Sequence, residues 1–149
     1  MYRELLEQIQ VKLQKRQTVP QPPCDEAQIE RLREQARTEL GDELPAAYLD
    51  FLRLSNGLDW NGLHFFAAET TQLRGKRPGM IEGFVPANLG YRDVEEMRSF
   101  LIFGVSGMEL YVYDKKNRDY RIQDTVSMDT YETYSDFDSL MTEALRKRL

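Results

Sequence analysis

The sequence predicts an α+β fold in which a central, mostly antiparallel sheet is covered by N-terminal helices and a C-terminal helix. Two observations support this prediction. Apolar residues recur at helical spacing in the first third of the chain and again at its end. Between these regions, short apolar runs are separated by turn residues, which is typical of antiparallel strands. Helices segregated from a run of strands favour α+β over alternating α/β architecture.

Two amphipathic helices are predicted in the first 41 residues. The first spans residues 2–16, and a proline-rich connector over residues 18–24 follows it. Because proline lacks a backbone donor, this connector should be extended, and we expect the first helix to dock loosely. Asp25 begins the second helix in a capping box with Gln28, and Gly41 ends it.

Strand signals dominate the second half of the chain. Asn61-Gly62 predicts a tight hairpin. Residues 70–79 are polar and are interpreted as a loop, and residues 83–87 as a short strand. Ser135 is the expected N-cap of the closing helix. Longer strands are expected over residues 100–105, 108–113 and 120–126.

Charge and hydropathy limit the partner and the compartment. The chain has 149 residues, with 20 Lys and Arg, 25 Asp and Glu and a net charge of −5. This balance disfavours nucleic acid, which requires a basic face, and permits a cationic protein partner. No signal-peptide core and no apolar run of membrane-spanning length is apparent. We therefore expect a cytoplasmic protein without a membrane partner.

Candidate chemistry is sparse. Cys24 and His64 are the only residues of their types, so neither an internal disulfide nor a zinc site is expected. Neither residue lies in a pattern typical of a catalytic nucleophile or base. The sequence predicts a non-enzymatic protein with no cofactor, no metal and no catalytic residue. An enzyme or small-ligand module is an alternative, and it predicts a deep pocket in which polar groups converge.

Acidic residues are concentrated between positions 109 and 143, where nine acids face four bases. Gathered on one face they would form a docking surface, whereas dispersed they would only maintain solubility. Trp60 and Tyr91 are candidate aromatic anchors, although Trp60 could instead pack across its own hairpin. The predicted partner-binding residues combine these anchors with acidic positions: Asp59, Trp60, Tyr91, Asp93, Glu95, Glu96, Asp114 and Asp119. A basic cluster is interpreted as a solvated loop: Arg74, Lys76 and Arg77.

One motif resembles a known family. The pattern Leu44-Pro45-x-x-Tyr48-x-x-Phe51-Leu52-x-x-Ser55-Asn56-Gly57 is similar to the hallmark of the SUKH superfamily, which contains fungal cell-wall-assembly regulators and many bacterial immunity proteins. The YrhA-like branch is a candidate closer relative. Further similarity lies in the strand–glycine turn–strand unit that ends at Tyr113-Asp114 and in the closing helix. The resemblance covers about residues 26–145, weakly over 67–98, and Leu58 stands where the family usually has a second glycine.

The length of 149 residues favours a single domain over residues 1–149, and the resemblance, which leaves residues 1–24 outside the match, implies that it has an α+β fold. It implies a protein that, in bacteria, neutralises a cognate toxin, often a nuclease or deaminase, by occlusion through a protein–protein interface. The acidic composition predicts that this interface is acidic. A regulatory scaffold or adaptor with several partners is the alternative. The oligomeric state is not predicted. The motif residues should build the fold and not the binding face: Leu44, Pro45, Tyr48, Phe51, Leu52, Asn56 and Gly57.

Overall fold

The α+β prediction is confirmed in a computed structural model, which describes residues 1–76 and 78–149. Its helices in these ranges are α1 (Tyr2–Lys15), α2 (Glu26–Gln35), α3 (Ala46–Leu52), α4 (Phe84–Tyr91) and α5 (Phe137–Arg146). A π-helical turn, Ala36–Leu40, extends α2, and a 3₁₀ turn, Glu95–Met97, follows α4. Arg77 of the predicted basic cluster lies outside the described residues, whereas Arg74 and Lys76 are exposed.

A six-stranded antiparallel sheet forms the centre of the fold, in the order β10-β9-β8-β7-β3-β2. Its strands are β2 (Leu58–Trp60), β3 (Leu63–Phe65), β7 (Phe100–Ser106), β8 (Glu109–Asp114), β9 (Asp119–Asp124) and β10 (Thr130–Tyr134). The predicted Asn61-Gly62 hairpin joins β2 to β3, with positive φ values of 49° and 80° at the two turn residues. Consecutive buried residues in β7 and β8 show that both faces of these strands are covered.

Four two-residue strands form two small ladders beside this sheet. They are β1 (Thr18–Val19), β4 (Thr71–Gln72), β5 (Arg74–Gly75) and β6 (Met80–Ile81). β1 pairs with β5, and β4 pairs with β6. The prediction of a plain loop over residues 70–79 was therefore wrong. Ladders this short are formed by pairing between distant backbone segments and leave little periodicity in the sequence.

Helix α1 is an integral part of the core, so the expectation of loose docking was wrong. The ring centroid of Tyr2 lies 6.4 Å from that of Phe51 and 6.2 Å from that of Phe137. The connector is also held, because Cys24 N–H donates to the carbonyl of Leu52 at 2.9 Å. The apolar face of α1 is buried through Tyr2, Leu6, Ile9 and Leu13.

The segment interpreted as a short strand, residues 83–87, instead begins helix α4. Pro86 is tolerated there because the first helical turn does not use its missing N–H. Asn88 is fully buried, and its amide nitrogen donates to the carbonyls of Phe84 and Ile102, at 2.9 Å each. Its Oδ1 accepts from Ile102 N–H at 2.8 Å. These bonds fasten α4 to β7, and no local sequence pattern reveals them.

Two further differences occur near the C-terminus. Helix α5 is capped by Asp136 and not by Ser135, since the Asp136 carboxylate accepts from Ser139 N–H at 2.7 Å. Strand β10 was not predicted. Its composition of two threonines, two tyrosines and one glutamate is typical of a strand and could have revealed it.

Tyr48 of the SUKH-like motif lies at the centre of the core. The side chain is fully buried, and its ring centroid is 5.1 Å from those of both Phe84 and Phe103 and 6.2 Å from that of Phe137. The Tyr48 hydroxyl donates to the carbonyl of Phe66 at 2.8 Å. This residue therefore joins α3 and α4 to the sheet and ties the helix to the chain that leaves β3.

Asn56 and Gly57 make the second connection between the end of α3 and that same segment. The Oδ1 atom of Asn56 accepts from Ala68 N–H at 2.8 Å. Gly57 has φ +81°, and a Cβ atom there would lie 2.8 Å from the carbonyl oxygen of Phe65 and 2.9 Å from Cγ2 of Ile81. A side chain is thus opposed by both backbone conformation and close packing.

We predict that Gly57→Ala lowers the free energy of unfolding by about 3 kcal/mol, since left-handed strain and overpacking act together. Gly41→Ala is the matched control. Gly41 has φ +72°, but a Cβ atom added there would meet no other atom within 4 Å, so a loss of about 1 kcal/mol is expected. Urea denaturation of both variants measures the difference. Equal losses would show that the close approach at Gly57 contributes nothing.

Candidate functional site

The predicted anchor Trp60 does not lie on an accessible tip. Only 2% of the residue is exposed, and its Nε1 donates to the carbonyl of Arg148 at 2.8 Å. The guanidinium of Arg16 covers the ring at 4.4 Å from its centroid. Asp59 is also buried, and His64 Nδ1 lies 3.5 Å from its carboxylate. Asp59 and Trp60 were predicted to bind a partner, but neither is accessible to one. Trp60 is covered by Arg16, at the end of α1, and by the C-terminal Arg148.

Three of the predicted partner-binding residues come together elsewhere, in a shallow groove of about 790 Å³ that we call the turn groove. Glu95 and Glu96 enter it from the 3₁₀ turn, and Asp114 from the end of β8. Arg98, Lys115 and Lys116 also line the groove, so its acids and bases are equal in number. Although both glutamates are exposed, the turn groove as a whole is not acidic.

Asp114 serves the β8–β9 turn and offers little to a partner, since it is 3% exposed. Its carboxylate accepts from Lys116 N–H at 2.9 Å and from the Asn117 side chain at 2.7 Å, and it lies 3.3 Å from the Arg121 guanidinium. Burial alone would raise the pKa of Asp114, but the Asn117, Lys116 and Arg121 contacts outweigh it and lower the pKa. Asp119, half-buried, pairs with Arg121 at 2.8 Å.

Tyr91 and Asp93 lie at the end of α4, on either side of a charged junction. Arg92 donates to the carbonyl of Leu40 at 2.8 Å and also to the Asp42 carboxylate, which Lys115 approaches at 3.2 Å. These contacts join the π-helical turn, α4 and the β8–β9 turn. Tyr91 packs against the core and is half-buried, and burial raises the pKa of its hydroxyl, whereas Asp93 is exposed.

Many of the nine acids between positions 109 and 143 have internal roles. Glu109 accepts from the Tyr111 hydroxyl at 2.9 Å and pairs with Lys147 at 3.3 Å. Asp136 caps α5, and Glu143 pairs with Arg146. Together with Asp114, Asp119 and Asp124, six acids are thus engaged. Within the described residues, three make no side-chain hydrogen bond or ion pair: Asp129, Glu132 and Asp138.

Asp124 holds the β9–β10 turn. Its Oδ1 accepts from the backbone N–H groups of Val126 at 2.8 Å and Ser127 at 2.9 Å, and its other oxygen accepts from the Tyr131 hydroxyl. The Tyr131 bond and the two backbone bonds lower the pKa of Asp124 to about 2. The carboxylate therefore organises the turn and positions Tyr131, whose ring is half exposed.

The two remaining candidates for chemistry are Cys24 and His64, for which the sequence predicted no catalytic role. Cys24 is buried, and burial raises the pKa of its thiol to about 11, which keeps it in the unreactive protonated form near neutral pH. Among the described residues, no three His, Cys, Asp or Glu side chains form a group suited to a metal ion. In the same ranges, no helix is both long and apolar enough to span a bilayer.

Comparison with known proteins identifies no matching family model and no related curated protein.

We predict that the Asp124 contacts stabilise the fold at neutral pH and are lost in acid. The pKa of Asp124 is about 2 in the folded chain, against about 3.9 in an unfolded one, so the stabilisation is complete above about pH 5 and disappears as the pH falls through 4 towards 2. The stability gap between wild type and Asp124→Asn, measured by urea denaturation, should shrink over that range. Asp129→Asn is the control, and a gap independent of pH would contradict the prediction.

Proposed function

We propose that this chain is a non-enzymatic binding protein of the immunity type, which binds a cognate toxin in the cytoplasm and neutralises it by occlusion. The proposal starts from the SUKH-like motif and its spacing. A regulatory adaptor with several partners is the second candidate, and the same motif motivates it. Neither candidate requires covalent chemistry, a metal or a cofactor.

The observation that carries the proposal is the structural use of the motif residues. Tyr48, Asn56 and Gly57 connect the end of α3 to the chain between Phe65 and Ala68. All three residues are buried, and the side chains of Tyr48 and Asn56 make their hydrogen bonds inside the protein. This supports the expectation that the motif builds a scaffold, while partner choice depends on surface residues outside it.

The charge distribution supports a cationic partner. Residues 122–145 contain six Asp and Glu and no Lys or Arg. Three of these acids are exposed and make no side-chain hydrogen bond or ion pair within the described residues: Asp129, Glu132 and Asp138. A nuclease or a nucleic-acid deaminase presents a basic face to its substrate, because the phosphate backbone is anionic. An acidic surface can be steered to that face and exclude the substrate, with no change in the catalytic groups of the toxin.

Co-expression with the product of the neighbouring gene tests the proposal. We expect a complex in a pull-down and restored growth when that product is toxic. Electrostatic steering predicts that the association rate constant falls as the salt concentration rises from about 0.05 M to about 0.5 M. The dissociation rate constant should stay nearly constant, because it depends on short-range contacts within the complex. The Gly57→Ala variant, if it still folds, should protect as well as wild type, because the motif lies away from the interface.

Two results would contradict the proposal. The absence of both a complex and protection would reject the immunity function. Stable binding to several unrelated host proteins, with no protection against the neighbouring product, would favour the adaptor.

A further inference from the structure

Three exposed apolar side chains meet at one end of the sheet, where the β7–β8 and β9–β10 turns adjoin. Met108, Val126 and Tyr131 are 66%, 86% and 50% exposed, and we call them the apolar patch. Thr125 N–H donates to the Met108 carbonyl at 3.0 Å, which joins the two turns. Asp124 accepts from both the backbone N–H of Val126 and the Tyr131 hydroxyl, which ties these two residues of the patch to one carboxylate. Methionine and aromatic residues are enriched at protein interfaces.

The apolar patch is continuous with an exposed edge of the sheet. Strand β10 ends the six-stranded order, and four of its five residues are exposed, with Tyr134 half-buried. At the opposite edge, all three residues of β2 are buried. A free edge presents unpaired backbone donors and acceptors and can accept another strand. The β10 edge contains neither proline nor lysine, two residues that commonly block such pairing.

A groove of about 700 Å³ runs beside this edge, and Met108, Tyr131 and Glu132 contribute to its lining. The bases that also line it are already engaged, since Lys147 pairs with Glu109 at 3.3 Å and Arg148 donates to the Asn61 carbonyl at 3.2 Å. Glu132 has no ion-pair partner within the described residues. A ligand that carries an apolar side chain next to a basic one would therefore complement the Met108 and Tyr131 side chains and the carboxylate of Glu132.

The charge of β10 argues against a second copy of this chain as the occupant. The antiparallel register that pairs all of Thr130–Tyr134 with itself places Glu132 opposite Glu132. Like charges directly opposite each other destabilise a strand pair, whereas opposite charges stabilise it. Asp129, which also lacks an ion pair among the described residues, adds to the negative field beside the strand.

We propose that the β10 edge, the apolar patch and the adjoining groove bind an extended, basic segment of a protein partner, which adds a strand to the sheet. A base of that segment pairs with Glu132, and an apolar side chain enters the groove beside Met108 and Tyr131. This inference rests on the proposed binding function and names its surface.

The probe is a synthetic peptide of about eight residues that alternates lysine and valine, compared with one that alternates glutamate and valine. We expect the lysine peptide to bind and to protect the amides of Thr130–Tyr134 from hydrogen exchange. Glu132→Lys should weaken this binding about tenfold and Glu132→Gln by a smaller factor. Glu95→Lys is the matched control, since it makes the same charge change at an exposed position in the turn groove and should leave the affinity unchanged.

Several outcomes would overturn the inference: no binding of the lysine peptide, equal binding of both peptides, protection centred away from β10, or equal losses from Glu132→Lys and Glu95→Lys. A dimer in solution that Glu132→Gln strengthens or Tyr131→Glu dissociates would assign the surface to a second copy and also overturn it. The co-expression assay shows whether only the proposed β10 surface is wrong or whether the proposed immunity function is wrong as well. Protection that depends on Glu95 and Glu96 but not on Glu132 would retain the function and reject the β10 surface.

Discussion

The fold depends on the junction between the end of α3 and the chain that leaves β3. There, the buried hydroxyl of Tyr48 donates to Phe66, and Asn56 accepts from Ala68. Each bond contributes only about 1 kcal/mol net, but a buried partner left unsatisfied costs about 1–3 kcal/mol. The Tyr48 ring also packs against the rings of Phe84 and Phe103, with centroid distances of 5.1 Å to each. Helix position, sheet position and aromatic packing are thus coupled through one side chain.

Internal hydrogen bonds also explain why the charge of the sequence is a poor guide to the charge of the surface in this protein. Asp114, Asp124 and Asp136 each accept backbone N–H bonds at a turn or a helix start, so their carboxylates have structural roles. A short polar side chain competes well for such backbone donors, which is why Asp is frequent in turns. The acids that stay free are fewer, and Asp129 and Glu132 lie at the exposed end of the sheet and not in the turn groove.

Binding at a sheet edge differs physically from binding at a face. An edge supplies backbone hydrogen bonds that are independent of side-chain identity, so affinity comes from the ladder and selectivity from neighbouring side chains. In this protein, Glu132 opposes self-pairing and favours a base, while Met108 and Tyr131 offer apolar contact. A strand edge left open in a protein is an aggregation risk, and a charge on it reduces that risk while keeping the edge available to a chosen partner.

The sequence by itself determined the features that depend on neighbouring residues. The Asp25–Gln28 capping box, the left-handed Gly41 and the Asn61-Gly62 hairpin were all predicted correctly, because each rests on local backbone geometry. The helical start at Gly83 was missed because the bonds that fasten Asn88 to Ile102 are invisible in local composition. The SUKH-like motif gave a resemblance but no binding face, since all of its residues except Pro45 are buried.

Only the tertiary structure decided which predicted site residues are accessible. Trp60 is covered because Arg148, 88 positions away, accepts its indole N–H, and Asp114 is withdrawn into its own turn. Glu95, Glu96 and Asp114 are brought together, but with an equal number of bases. The exposed edge of β10 follows from strand order, which is set by pairing between distant segments. Accessibility is a property of such long-range contacts, and the spacing of residues along the chain does not contain it.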